Sequence, residues 1–229
     1  MFTGPGSVDF CKPYIMCIKF LFASALIMIS AIESFSQQNG EPPDLQKKYQ
    51  VFNRVISSGS ATASVNLNEG EGPGIAWITG QVFNYGMIEF DVKGRDMVQK
   101  SFVGFAFHGL NDSTYEAIYF RPFNFRSTDP VRKTHAVQYI ADPLYDWPKL
   151  RADYPNKFEQ PVSPPPGPND WFHARIVIEP KKISVYVNDN SSPSLVVEPL
   201  VPLRGKQMGY WVGNGSNGDW KNLKITPAK

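Results

Sequence analysis

The sequence is poor in cysteine and in charged residues. Its 229 residues include two cysteines, and charged side chains make up 19% of the chain. Lys and Arg total 23 against 21 Asp and Glu, which gives a net charge of +2 without any basic block. Proteins that bind a phosphate backbone concentrate Lys and Arg on one surface. We therefore do not expect nucleic acid as a partner.

A long apolar run is also missing. The apolar stretch over residues 20–32 is shorter than the roughly 20 residues that a membrane-spanning helix needs. Lys12 and Lys19 precede this stretch, and the small residues of 34–36 follow it, which is the order of a signal peptide. We predict a signal peptide over 1–36, with a permanent membrane anchor as the alternative.

Both cysteines, Cys11 and Cys17, lie before the predicted cleavage site. The mature chain would then have no disulfide, so its hydrophobic core alone must stabilise the fold. We predict a leader over 37–50 and one domain over 51–229, secreted or periplasmic in a bacterial cell envelope, with no stable membrane insertion after signal removal.

Turn formers and aromatic residues are abundant instead. The chain has 20 Pro, 18 Gly and 14% aromatic residues, which is typical of many short strands joined by turns. Apolar residues alternate over 85–92, 102–108 and 115–121, as in half-buried strands. No helix is expected, and the Pro-rich stretch 141–170 is interpreted as a long loop. We predict an all-β domain, either a barrel or a two-sheet antiparallel jelly-roll sandwich, and favour the sandwich.

Several of these segments resemble strands of concanavalin A-like lectin/glucanase domains. The segments that carry the resemblance are 83–92, 102–108, 115–122, 171–178, 185–188, 208–213 and 218–223. Within this superfamily the chain is most similar to laminin-G-like domains and to bacterial domains of the 3-keto-disaccharide hydrolase type. The resemblance implies two packed sheets with any glycan on the concave face of one sheet. It also implies a structural calcium ion at Asp219, and no other cofactor is expected.

One departure separates the chain from the related glucanases. Those enzymes carry two glutamates flanking an aspartate on one strand face, since retaining hydrolysis needs two carboxyl groups about 5 Å apart. Here Glu89 and Asp91 fill the first two positions, but Lys93 fills the third. We therefore interpret Glu89 and Asp91 as solvent-facing polar residues.

Strand alternation suggests a ligand site. If Phe105 and Phe107 face the core, their neighbours Gly104, Ala106 and His108 face outward. Four residues are expected to share this outer face: His108, Tyr119, Arg121 and Gln138. Trp147, from the Pro-rich stretch, is expected to place an aromatic ring above them. Such residues offer the hydrogen bonds and the aromatic surface that sugars need. The opposite alternation, centred on Glu116, stays open.

These features favour a carbohydrate-binding jelly-roll domain whose partner is a glycan. One alternative is a glycoside hydrolase resembling the 3-keto-disaccharide hydrolases, with Glu116 or an Asp of the long loop as acid/base. A second alternative is a laminin-G-like protein-interaction module, which would need an exposed apolar patch rather than a polar cleft.

Overall fold

The structure is a computed structural model that describes Met1 and residues 43–228. The predicted signal peptide, both cysteines and most of the predicted leader lie outside the described residues. In the part of the chain that the structure describes, no helix is long and apolar enough to cross a membrane.

The described residues form fourteen strands and four short helices. The strands are β1 (Tyr49–Phe52), β2 (Ile56–Ser58), β3 (Val65–Leu67), β4 (Gly74–Ile78), β5 (Gly86–Lys93), β6 (Val103–Asn111), β7 (Thr114–Phe120), β8 (Val137–Asp142), β9 (Glu159–Gln160), β10 (Phe172–Glu179), β11 (Lys182–Val187), β12 (Leu195–Val197), β13 (Gln207–Val212) and β14 (Gly218–Pro227). The helices are α1 (Pro43–Lys48), α2 (Pro122–Phe125), α3 (Pro130–Thr134) and α4 (Trp147–Asp153).

The strands form two antiparallel sheets of seven strands each. Sheet A has the order β1-β4-β13-β6-β7-β8-β9, and sheet B has the order β12-β11-β10-β5-β14-β3-β2. The four edge strands are short, with two to four residues each. The predicted all-β sandwich is confirmed.

The hydrophobic core lies between the two sheets. Phe105 of sheet A stacks on Phe90 of sheet B with ring centroids 5.3 Å apart, and Tyr210 stacks on Trp220 at 5.1 Å. Because side chains alternate along a strand, the neighbours of Phe105 and Tyr210 point away from sheet B. We call this surface the outer face of sheet A.

Two expectations about local structure are wrong. The described residues include four helices where none was expected, and the stretch 141–170 contains α4 and β9 rather than a structureless loop. Asp146 caps the start of α4, since its side chain accepts a hydrogen bond from the backbone N–H of Lys149, and Pro148 follows in the first turn. Both residues are strong helix-start signals, and the high Pro content of the stretch hides them.

Candidate functional site

One row of residues crosses five strands on the outer face of sheet A. Register pairing joins Trp211 to Gly104, Gly104 to Tyr119, Tyr119 to Gln138 and Gln138 to Glu159. Trp211 and Tyr119 lie two strands apart, a backbone separation of about 10 Å, yet their ring centroids are 4.9 Å apart. The rings meet because Gly104 has no side chain between them.

Gly104 is required by this close packing. A Cβ atom there would lie 2.1 Å from the carbonyl oxygen of Ile118 and 2.7 Å from the Cβ of Tyr119. Across the same face, the indole N–H of Trp211 donates to the Tyr115 hydroxyl at 3.1 Å. The row thus combines an aromatic surface with the polar ends of Gln138 and Glu159.

Arg121 binds the polar end of the row. Its Nη2 donates to the Tyr119 hydroxyl at 2.7 Å and to Oε1 of Gln138 at 2.5 Å, and the Tyr119 hydroxyl donates to the same Oε1 at 2.9 Å. Burial raises the pKa of Tyr119 to about 12, so this hydroxyl keeps its proton at neutral pH. Tyr119, Arg121 and Gln138, which the sequence predicts as site residues, therefore lie in direct contact.

The amide of Gln138 has an unused donor. Two donors fix its Oε1, which sets the orientation of the amide group. The side chain is fully buried, and among the residues that the structure describes its Nε2 has no hydrogen-bond partner. A buried N–H group without an acceptor costs about 1 to 3 kcal/mol, so this position favours an oxygen acceptor that the described residues do not supply.

Three basic side chains surround the carboxylate of Glu159. Arg151 binds both carboxylate oxygens, at 2.8 and 2.7 Å, while Nδ1 of His135 lies 2.8 Å and Nη1 of Arg121 lies 3.7 Å from Oε2. Burial alone would raise the pKa of Glu159, but the bond to Arg151 and the surrounding charges hold that pKa below its usual value. Glu159 is therefore ionised at neutral pH.

His135 is neutral beside the carboxylate of Glu159. Burial lowers the pKa of His135 and outweighs the attraction of Glu159, which acts in the opposite direction. The contacting residues form a set that we call the Arg121 cluster: Tyr119, Arg121, His135, Gln138, Arg151 and Glu159.

Trp147 connects the Arg121 cluster to the surface. It begins α4, and residues four positions apart share one side of a helix, which places Arg151 over its ring at 4.9 Å. Trp147 is 48% exposed, whereas Arg121 is 5% exposed. A continuous series of contacts thus leads from an exposed indole through Arg151 and Glu159 to the buried Arg121.

Sequence reasoning missed Glu159, Arg151, His135 and Trp211. The Asp146 cap and Pro148 would have indicated α4, and the i,i+4 spacing would then have placed Arg151 beside Trp147. Glu159 belongs to a strand of two residues, which is too short to give an alternating pattern.

His108 does not join this cluster, so its expected outward position is wrong. The register of β6 against β7 shifts after Phe107, and His108 adopts a φ of 51°. This turns its ring toward the inner side, where Nδ1 lies 2.7 Å from Oε1 of Glu116 and Nε2 contacts the carbonyl oxygen of Asn84.

Glu116 also lies between the sheets. Its Oε2 accepts a hydrogen bond of 2.5 Å from the Tyr139 hydroxyl, which in turn accepts one from the backbone N–H of Leu200 at 3.3 Å. Burial, followed by the charge of Glu116, raises the pKa of Tyr139, so this phenol remains a donor. We call Glu116, His108 and Tyr139 the Glu116 network; it lies on the opposite side of sheet A from the Arg121 cluster.

Glu89 and Asp91 lie on β5 of sheet B, a different sheet from that of the Arg121 cluster. Asp91 binds His173 at 2.8 Å and Asn222 at 2.7 Å, and Glu89 lies 3.1 Å from Nζ of Lys224. Both carboxylates are partly exposed and are engaged by their neighbours. This arrangement agrees with the interpretation of polar residues on a solvent-facing strand side.

Asp219 lies near the start of β14, beside Asn66 of β3. Its Oδ1 accepts a hydrogen bond of 3.2 Å from Asn66. Within residues 43–228, no three or more His, Cys, Asp or Glu side chains are grouped so that they could hold a metal ion. The calcium ion expected at Asp219 stays a prediction, and we assign no step to a cation there.

Comparison with known proteins identifies the fold. No protein-family model matches the chain, and no curated protein matches its sequence. The exoplasmic/lumenal domain of VIP36, in a form bound to Ca²⁺ and Man3GlcNAc, superposes with a TM-score of 0.54 at 12% identity, covering 82% of this chain and 87% of that domain.

Two Bacillus subtilis proteins are similar to a comparable degree. Carbohydrate-binding module CBM66 gives a TM-score of 0.53 at 13% identity over 77% of this chain and 93% of the module. A protein with a galectin-like fold also gives 0.53, at 11% identity over 78% of this chain and 89% of that protein. At such low identities these likenesses establish the architecture: the chain has the two-sheet sandwich fold of concanavalin A-like and galectin-like proteins.

Proposed function

We propose that this protein binds carbohydrate through Trp147 and the Arg121 cluster. The observation that carries the proposal is the series of contacts from an exposed indole to a buried amide N–H of Gln138 that has no partner among the described residues. An indole packs against the C–H face of a sugar ring, and the amide and guanidinium groups bind its hydroxyl oxygens. The fold agrees with this function but does not by itself assign it.

The contacts of Glu159 favour binding over hydrolysis. Arg151 engages both of its oxygens at 2.8 and 2.7 Å, whereas a general acid or base must be able to exchange a proton with the substrate. We also propose a secreted or periplasmic location, which the signal-peptide order of residues 1–36 supports.

Substitution of Trp147 tests the proposal. In a glycan array followed by calorimetry with the best ligands, Trp147→Ala should weaken binding by about 1 to 3 kcal/mol, the usual cost of removing an aromatic anchor. Trp171→Ala is the matched control, because Trp171 also lies beneath a cation, Nζ of Lys221 at 4.5 Å, but packs against sheet B. Equal loss in both variants, or no glycan bound by the wild-type protein, would refute the proposed site.

A further inference from the structure

The Arg121 cluster contains more positive than negative charge. It has two guanidinium groups, Arg121 and Arg151, and a single carboxylate, Glu159. Arg151 occupies both oxygens of Glu159, whereas Arg121 approaches only one of them, at 3.7 Å. Among the described residues, the groups that hydrogen-bond to Arg121 are uncharged: the Tyr119 hydroxyl, Oε1 of Gln138 and the carbonyl oxygen of His135.

The neighbouring groups described below do not supply a second negative charge to the Arg121 cluster. His135 is neutral, since burial lowers its pKa. Asp142 lies four residues beyond Gln138 on β8, about 13 Å along the backbone, and Arg121 does not hydrogen-bond or ion-pair with it among the described residues. Asp146 caps the N-terminus of α4, and Asp153 pairs with Lys149 at 2.7 Å. The cluster therefore carries one more positive charge than negative charge, and Arg121, which is 5% exposed, shares Glu159 with Arg151.

A buried charge is stable when an opposite charge and hydrogen bonds accompany it. The unused Nε2 donor of Gln138 lies on the amide that Arg121 binds. A sugar hydroxyl would satisfy this donor but would leave the excess positive charge of the cluster unchanged. A carboxylate would supply both the acceptor oxygen and the negative charge, in a planar form that suits amide and guanidinium groups.

We propose that the preferred ligand of the Arg121 cluster is an acidic saccharide, one that carries uronic acid carboxylates. This inference rests on the proposed carbohydrate binding and specifies its substrate class. The carboxylate binds at Nε2 of Gln138 beside Arg121, and a neighbouring sugar ring packs on Trp147.

Methyl esterification gives a direct test, because it removes the charge of a uronate and changes little else. Calorimetry at low salt would compare oligogalacturonates with their methyl esters and with neutral galacto-oligosaccharides. The acids should bind at least 10-fold more tightly than their esters, and this advantage should fall as salt increases.

Gln138→Glu supplies the missing carboxylate from the protein itself. The substitution keeps the side-chain length and an oxygen acceptor for Tyr119 and Arg121. We expect the variant to melt at or above the wild-type temperature and to lose the 10-fold preference for acids. Gln160→Glu is the matched control, since it adds the same charge one residue beyond Glu159, at a side chain that binds the carbonyl oxygen of Asn156; it should keep the preference.

Three outcomes would overturn the inference, and they are distinguishable from each other. Equal binding of acids and esters would refute the acidic ligand while leaving carbohydrate binding intact. Equal or tighter binding of saccharides that carry sulfate groups but no carboxylate would show a general anion site instead of a carboxylate site. Binding of no saccharide at all would refute the proposed function and this inference with it.

Discussion

Two buried glutamates on sheet A have opposite surroundings. Glu116 lies on the inner face, where a histidine and a tyrosine of the core occupy its oxygens. Glu159 lies on the outer face, where the charged Arg151 binds both oxygens and leads to the exposed Trp147. Their side chains are 2% and 3% exposed, respectively, so burial alone does not distinguish them.

The two glutamates differ in where their hydrogen-bond networks lead. The Glu116 network runs into the space between the sheets and ends at the backbone of Leu200. The Arg121 cluster runs to the surface and includes a donor, Nε2 of Gln138, without a partner in residues 43–228. A network with its donors satisfied stabilises the fold, whereas one with an unused donor and excess charge is suited to a ligand.

The largest effect is expected at Glu116. Glu116→Ala leaves the Tyr139 hydroxyl and Nδ1 of His108 buried without an acceptor, and each such loss costs about 1 to 3 kcal/mol. Urea unfolding should therefore show a loss of about 3 kcal/mol, with glycan affinity unchanged in the folded protein. Glu116→Gln keeps one acceptor oxygen and should recover part of the loss. If Glu116→Ala is as stable as wild type, the contrast between the two glutamates fails.

A smaller, pH-dependent effect is expected at Glu159. Because the folded pKa lies below the ordinary value of 4.5, ionised Glu159 stabilises the fold above that pH, and the contribution is lost as the pH falls through the folded pKa. At pH 7, Glu159→Gln should cost about 2 kcal/mol, the scale of a charge-assisted hydrogen bond.

Thermal unfolding from pH 7 down to pH 3 would test this dependence. The difference in unfolding free energy between wild type and Glu159→Gln should shrink steadily below about pH 4.5. A difference that is constant over this range would show that the charge of Glu159 is not what stabilises the cluster.

The smallest effect is expected at Glu89, a carboxylate that is partly exposed on sheet B. Glu89→Gln should change the unfolding free energy by no more than about 0.5 kcal/mol, as is usual at the surface, and should leave glycan binding intact. Chemical denaturation and calorimetry of the same sample would measure both. A large loss of binding would move the site to sheet B.

The sequence predicts β5 and β10 of sheet B because their residues alternate between buried and partly exposed positions. The strands of sheet A are buried on both faces, but the two-residue period of side-chain direction still places Tyr119 and Gln138 on one face, where the structure pairs them directly. It fails at His108, since the register shift after Phe107 cannot be read from residue types. Glu159 was missed for a different reason: its position depends on pairing with Gln138, which lies 21 residues earlier (159 − 138), rather than on any local pattern.

The shortness of the edge strands has a consequence for behaviour in solution. Both sheets end in strands of two to four residues, so each border offers few free N–H and C=O groups to another polypeptide. One border of sheet A also carries Glu159 with its arginine partner. Long flat borders recruit further strands and start aggregation, whereas short or charged ones resist it. We therefore expect the sandwich to remain dispersed at high concentration without relying on any disulfide.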